Sequence, residues 1–217
     1  MRMTKWLLVC GVAAGPLFTV VYLVEGGMRD HYTPRRHPVS SLAIGERGWR
    51  QAANFLGSGS LLLAFAIGVR RIQRAAGDSR WGPRLIGACA VGLIGAGVFR
   101  TDPLNGYPPG TPDRQRPPSM HSTLHQLFSA FFFVGLPAAC LVFARQFANH
   151  AEPRWSAYSR ASCAAFVVAF AATSIGFGGV PGLVEFGGLF QRVALTVGFG
   201  WLSMLAAHFL RKQAQSN

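Results

Sequence analysis

The sequence predicts an all-α fold, a single bundle of six transmembrane helices. Half of the 217 residues are hydrophobic, and the mean hydropathy is +0.28. Six apolar stretches, most of them about 18 residues or longer, contain no Asp, Glu, Lys or Arg, which is the pattern of helices that span the hydrocarbon layer. Because the bundle uses nearly the whole chain, we predict one domain and no separate soluble domain.

The predicted helices follow one another with connections of unequal length. The third is short unless Gly82 and Pro83 begin it, and it is rich in small residues, which predicts a position at the crowded centre of the bundle. The first apolar run is too long for a signal peptide and has no small-residue cleavage site after it, so we expect it to be an anchor. The helices are predicted at residues 6–24, 51–69, 83–99, 120–144, 161–184 and 189–210.

The charge distribution indicates membrane topology. The net charge is +13, but the basic residues lie mostly at the ends of the apolar stretches, so we expect no nucleic-acid partner. With a cytoplasmic N-terminus, twelve of the 21 Lys and Arg residues face the cytoplasm and nine face outward. The excess of inward basic residues predicts two cytoplasmic termini in the cell membrane.

The connection between the third and fourth helices holds the most informative polar residues. The third helix ends at Arg100 and Asp102, and a Pro- and Gly-rich loop follows, with turn signals at Asn105-Gly106. Ser119 is a suitable N-cap for the fourth helix. His121 and His125 come next, four residues apart, and therefore on one face of that helix.

Three interpretations of Asp102, His121 and His125 are open. Neutral imidazoles can act as general bases with Asp102 orienting one of them, so the three are candidate catalytic residues. The same three side chains are possible ligands of a divalent metal ion, although a zinc protease would have Glu where this chain has Ser122. They could instead fix the long loop to the bundle through hydrogen bonds. Haem is not expected, because His208 lies at the opposite membrane face from His121.

Further polar residues fall near the same outer face, whereas the middles of the six helices contain no charged residue. Ion-coupled carriers usually place ionisable groups near the membrane midplane. The distribution therefore favours a site that opens at the extracytoplasmic face. The candidate substrate-binding residues are Glu25, Ser41, Asn54, Arg100, Glu185 and Arg192.

Several short motifs together resemble one known family. They are Pro38-x-Ser-Ser-Leu, Gly48-Trp49, Asn54-Phe55, Gly97-Val98-Phe99-x-x-Asp102-Pro103, Gly106-Tyr107-Pro108-Pro109-Gly110 and His121-x-x-x-His125. With these motifs the chain resembles a family of prokaryotic integral membrane proteins catalogued as domain of unknown function 998. The resemblance covers nearly the whole chain and implies a six-helix membrane fold, but it implies no activity, substrate or cofactor.

The residues themselves favour a membrane-embedded enzyme or binding protein. A polar cluster on a bundle without a soluble domain suits an amphiphilic, lipid- or isoprenoid-like molecule, converted by acid–base or metal-assisted chemistry. The expected partners are membrane lipids and this amphiphile, and the cofactor is undefined apart from the possible divalent metal ion. Two alternatives stay open, a small transporter or exporter and a structural assembly partner without catalysis.

Overall fold

A computed structural model describes residues 2–112 and 117–215. This part of the chain contains six α-helices and no named strand, which confirms the all-α prediction. All six helices are long and apolar enough to cross a membrane, so the chain is a multi-pass membrane protein. The helices are α1 (Arg2–Gly27), α2 (Gly48–Ala76), α3 (Trp81–Val98), α4 (Met120–Asn149), α5 (Pro153–Phe177) and α6 (Gly187–Gln215), and short 3-10 helices cover Val39–Ala43 and Val184–Phe186.

The six helices form a closed ring in sequence order. Each helix packs against the next, and α1 packs against α6 to complete the ring. Aromatic side chains fill the interior: Phe18 stacks on Phe199 with ring centroids 4.6 Å apart, and Phe132 lies 5.2 Å from Phe199. Because these large side chains come from α1, α4 and α6, they join opposite sides of the ring into one core.

Glycines let α3 approach its neighbours closely. A Cβ atom on Gly92 would lie 2.6 Å from the carbonyl oxygen of Phe128, and one on Gly95 would lie 2.1 Å from the Phe128 ring. On the other side of α3, a Cβ atom on Gly59 of α2 would lie 3.0 Å from the Ala90 carbonyl. Larger residues would push these backbones apart, as expected for small residues at membrane helix interfaces.

The connections differ strongly between the two ends of the ring. The start of α1, the end of α6 and the short turns after α2 and α4 lie at one end, which we call the terminal end. The long connections lie at the other end, the cap end, and we define the cap as residues 28–47, 99–112 and 117–119. This arrangement follows from an even number of crossings, and the side of the membrane at which the terminal end lies stays a prediction.

Several helices extend beyond the predicted limits. α2 continues to Ala76 and ends where Gly77 takes a left-handed conformation, with φ of 71°. α5 spans Pro153–Phe177, where the sequence predicted 161–184. Proline is well suited to a first helical turn, and Gly179, with φ of 85°, ends the helix before residue 184. An apolar stretch without charged residues therefore predicts the membrane-crossing part of each helix, but it does not predict where the helix begins and ends.

Candidate functional site

Arg192 holds the cap against α6. The side chain is buried, and its Nη1 atom donates hydrogen bonds to the carbonyl oxygens of Pro34, His37 and Gly188. Its Nη2 atom donates to the Tyr32 hydroxyl. The guanidinium group thus satisfies carbonyl groups of the first long loop, which gives Arg192 a structural role. Its predicted contact with substrate stays a prediction.

An aromatic cluster of Tyr32, His37 and Tyr107 joins the two long loops of the cap. The three rings lie 5.1 to 5.5 Å apart between centroids. His37 accepts a hydrogen bond at Nδ1 from the backbone N–H of Thr33, at 2.8 Å. Burial lowers the pKa of His37, which favours the neutral ring that this bond needs, and burial raises the pKa of Tyr32. Tyr107 belongs to the Gly106–Gly110 motif quoted from the sequence, but the sequence did not predict which residues this tyrosine contacts.

Ion pairs fasten the remaining parts of the first loop. Buried Glu25 lies 3.6 Å from Arg29 and 3.0 Å from Arg50, measured between carboxylate oxygen and guanidinium nitrogen. Arg29 in turn donates to the carbonyl oxygens of Ile44 and Leu42. Glu185 pairs with Arg36. Both predicted carboxylates therefore have cationic partners within the protein.

Three other predicted substrate-binding residues have different surroundings. Asn54 is buried and donates from Nδ2 to the Phe18 carbonyl oxygen at 3.0 Å, which ties α2 to α1. Ser41 is fully buried in the first 3-10 helix, where its hydroxyl has no hydrogen-bond partner. Arg100 is exposed and forms no hydrogen bond or ion pair with the residues that the structure describes.

Asp102 caps the N-terminus of α4. Its carboxylate accepts hydrogen bonds from the backbone N–H and the hydroxyl of Ser119, both at 2.7 Å. The Ser119 hydroxyl accepts in turn from the Ser122 N–H at 3.0 Å, which confirms Ser119 as the N-cap. A negative charge here also interacts favourably with the helix dipole. Asp102 therefore fixes the end of the long loop, as one of the three interpretations requires.

His125 caps the C-terminus of α3 from the neighbouring helix. Its buried ring places Nδ1 3.0 Å from the Ala96 carbonyl oxygen and 2.8 Å from that of Phe99. Carbonyl oxygens only accept hydrogen bonds, so these partners assign the proton to Nδ1. Nε2 is left as an acceptor and has no partner among the described residues. A rigidly oriented neutral imidazole with a free lone pair is suited to act as a base.

His121 does not join this pair. The side chain is exposed, and its ring contacts Phe99 edge-on with centroids 5.8 Å apart. Over residues 2–112 and 117–215, no three His, Cys, Asp or Glu side chains lie together in a way that could hold a metal ion. The described residues thus do not fit the suggested metal site, and the role of His121 stays a prediction.

Asp102 and His125 line one cleft of about 700 Å³ between the cap, α4 and α5. This volume lies in the range of sites that take one small organic molecule. The cap contributes Ser40, Thr101 and Asp102 together with several prolines, and Phe133 and Phe170 line the part that lies farther from the cap along α4 and α5. Phe133 stacks on Phe170, with centroids 4.3 Å apart and planes at 13°. The cleft is therefore amphipathic.

A smaller cavity of about 40 Å³ continues from the cleft toward the ring axis. Four polar residues border both spaces: Ser40, His125, Ser129 and Gln191. Gln191 uses Oε1 to accept from the Val39 N–H at 2.8 Å, which leaves its amide N–H groups without a described partner. Ser40, Ser129 and Gln191 were not among the predicted site residues. Single polar residues on the apolar helices α4 and α6 carry little signal, and Ser40 was quoted only as part of the Pro38-x-Ser-Ser-Leu motif.

Comparison with known proteins identifies one family. The family model described as "Protein of unknown function (DUF998)" matches residues 12–208, a range that covers α2 to α5 and most of α1 and α6. No curated protein matches the chain significantly, and no solved structure does so either. With a match over nearly its whole length, this multi-pass membrane protein belongs to the DUF998 family.

Proposed function

We propose that the protein binds, and chemically converts, a lipid- or isoprenoid-like amphiphile in the cleft between α4 and α5. The observation that supports this proposal most is the order of the lining residues: Asp102 and His125 lie near the cap, and Phe133 and Phe170 lie farther along α4 and α5. An amphiphile matches both parts, whereas a wholly polar solute would leave the aromatic walls unused.

The depth of the cleft supports an apolar tail inside it. Phe133 lies about 20 Å along α4 from its first residue, Met120, at ~1.5 Å per residue. Phe170 lies about 10 Å from the end of α5 by the same rise. The aromatic part of the cleft thus lies within the apolar portion of the bundle, at the depth where a tail from the surrounding lipid would enter.

His125 is the proposed general base. Its Nδ1–H is fixed by two backbone carbonyl groups, so Nε2 is oriented without a side-chain partner and can accept a proton from the head group or from a water molecule beside it. Asp102 shares the cleft wall, and we assign it the positioning of the loop and of α4. No step of this proposal uses a metal ion.

We further propose that the cap end faces outward from a bacterial inner membrane, so that the cleft opens in the outer leaflet. The support is the basic terminal end, where Arg70, Arg71, Arg74, Arg80 and Arg84 surround the turn between α2 and α3. Cytoplasmic connections carry such an excess of basic residues.

Binding can be tested with two blocking variants on adjacent residues of α5. Ser174 lines the cleft, whereas the neighbouring Ile175 is 47% exposed and lies outside it. We expect Ser174→Trp to weaken the binding of monoolein and farnesol at least tenfold, because indole fills the entrance, and Ile175→Trp to leave binding unchanged. Native mass spectrometry of protein released from nanodiscs measures both. Equal binding by the two variants would exclude the cleft as the site.

Conversion can be tested separately at His125. The amide nitrogen of Asn can take the place of Nδ1 and donate to the Ala96 and Phe99 carbonyl oxygens, but Asn offers no base at the position of Nε2. We expect His125→Asn to fold normally and to leave the lipid profile of a deletion strain uncorrected, while the wild-type gene restores it. An unchanged lipid profile in the deletion strain, together with altered solute export, would favour the transporter alternative.

A further inference from the structure

We infer that the head group of the bound amphiphile is uncharged and carries hydroxyl groups. This inference rests on the proposed function and specifies its ligand. It comes from the hydrogen-bonding capacity that the protein leaves unused on the wall shared by the cleft and the small inner cavity, at Ser40, His125, Ser129 and Gln191. We call these four residues the polar node.

Each member of the polar node has an unused hydrogen-bonding atom. His125 offers Nε2 as an acceptor, and Gln191 offers its amide N–H groups as donors, since Oε1 is occupied by Val39. The hydroxyls of Ser40 and Ser129 form no hydrogen bond with the described residues. None of these atoms is sealed by surrounding protein atoms, so a molecule in the cavities can reach them.

A hydroxyl group matches this set because it both donates and accepts. It can donate to His125 Nε2 and accept from the Gln191 amide, and either serine can pair with a second hydroxyl. A phosphate dianion only accepts hydrogen bonds, so it would leave His125 Nε2 without a donor. Its negative oxygen atoms would also be repelled by the lone pair on Nε2. A quaternary ammonium group neither donates nor accepts conventional hydrogen bonds and would leave the whole node unpaired.

The charges around the cleft agree with an uncharged head group. The described residues that line the cleft include no Lys or Arg and a single acidic residue, Asp102. An anion would therefore be desolvated near a carboxylate without a cation to compensate, which is costly. A cation would be attracted to Asp102, but both carboxylate oxygens already accept hydrogen bonds from Ser119.

Three amphiphiles with the same ten-carbon chain test this inference: decyl glucoside, decyl phosphate and decyltrimethylammonium. We expect the full-length protein in nanodiscs to bind decyl glucoside at least tenfold more tightly than the other two. Gln191→Glu keeps the acceptor for Val39 but loses the free donors, and Ser129→Ala loses one hydroxyl. Each should weaken decyl glucoside binding at least fivefold, whereas Ser60→Ala, at an exposed position of α2 that lines neither cavity, should not.

The outcomes separate this inference from the proposed function. Equal affinities for the three amphiphiles would overturn the hydroxyl head group while leaving an amphiphile-binding cleft in place. Stronger binding of decyl phosphate or decyltrimethylammonium would overturn it as well. If none of the three binds, or if free glucose binds as tightly as decyl glucoside, the amphiphile proposal itself fails. Circular dichroism of Gln191→Glu and Ser129→Ala checks that both variants are folded.

Discussion

At the scale of single residues, Asp102 and His125 form hydrogen bonds at the two ends of the long connection between α3 and α4. Asp102, through Ser119, caps the start of α4, and His125 caps the end of α3. Terminal N–H and C=O groups of a helix otherwise lack partners inside the protein. The same two side chains border the cleft, so the residues that fix the loop also determine the shape of the candidate site.

The cap of α4 yields a stability prediction. Ser119→Ala removes the hydroxyl that accepts from the Ser122 N–H and donates to Asp102, and we expect it to cost about 1 kcal/mol of unfolding free energy. Asp102→Asn loses the charge and one acceptor, with an expected cost of ~1–3 kcal/mol. Unfolding in mixed micelles measures both. A stability equal to wild type in both variants would contradict the assigned cap.

His37 yields a pH prediction. Burial lowers the pKa of His37 in the folded protein below the ordinary histidine pKa of about 6.5. As the pH falls below 6.5, His37 therefore takes up a proton in the unfolded chain before it does so in the folded protein. The contribution of His37 to stability is thus complete above pH 6.5 and decreases as the pH falls toward the folded-state pKa. The nearby groups that bear on this titration are Arg36, Glu185 and Arg192.

The matched control for this prediction is His37→Asn, whose side-chain oxygen can accept from the Thr33 N–H and does not titrate. Between pH 7.5 and pH 5.5, we expect wild type to lose more thermal stability than His37→Asn. Scanning calorimetry at both pH values provides the comparison. Parallel losses in the two proteins would show that protonation of His37 does not weaken the cap.

At the scale of helices, glycine positions decide how closely α3 packs. Gly92 and Gly87 both lie in α3, yet a Cβ atom on Gly92 meets the Phe128 carbonyl oxygen at 2.6 Å, whereas one on Gly87 meets Ala66 at 3.9 Å. We expect Gly92→Ala to destabilise the bundle by about 1–3 kcal/mol through forced separation of α3 and α4. Gly87→Ala should be neutral or stabilising by up to ~1 kcal/mol, because Ala favours the helix.

Reversible unfolding in mixed micelles measures the two glycine variants side by side. The prediction concerns their difference, since both add the same methyl group to the same helix. A Gly92→Ala variant as stable as Gly87→Ala would contradict the close contact between α3 and α4 at this level.

The helices were predictable from sequence because each requires an apolar stretch long enough to cross the membrane, and no other fold uses such stretches so regularly. Their ends were less predictable. The fifth helix was predicted to reach residue 184, whereas α5 ends at Phe177. The glycines near this end indicate a connection, and the left-handed conformation of Gly179 and Gly182 shows that it begins before residue 184.

At the scale of the whole molecule, the candidate site depends on contacts that sequence spacing does not encode. The spacing of His121 and His125 predicts a common face, but one turn along α4 separates an exposed ring from a buried one. Gln191 reaches the node from α6, and Ser40 reaches it from the first loop. Such long-range contacts follow from closure of the ring, so the sequence could indicate the region of the site and only part of its lining.

The orientation of the molecule gives a further prediction. Ser79 lies in the short turn at the terminal end, and Thr111 lies in the cap. In a variant without the four native cysteines, we expect a membrane-impermeant maleimide to label Thr111→Cys in intact cells and Ser79→Cys only after lysis. Labelling of Ser79→Cys from outside would reverse the topology and place the cleft in the cytoplasmic leaflet.

Photo-crosslinking tests the central claim, an amphiphile in the cleft, most directly. A monoacylglycerol with a diazirine near the end of its chain is added to the protein in nanodiscs, and the crosslinked residues are identified by mass spectrometry. The cleft proposal predicts saturable crosslinks to Phe133 and Phe170, lost in Ser174→Trp and retained in Ile175→Trp. Crosslinks confined to exposed residues such as Val134 and Val168, which rise in proportion to probe concentration, would contradict it.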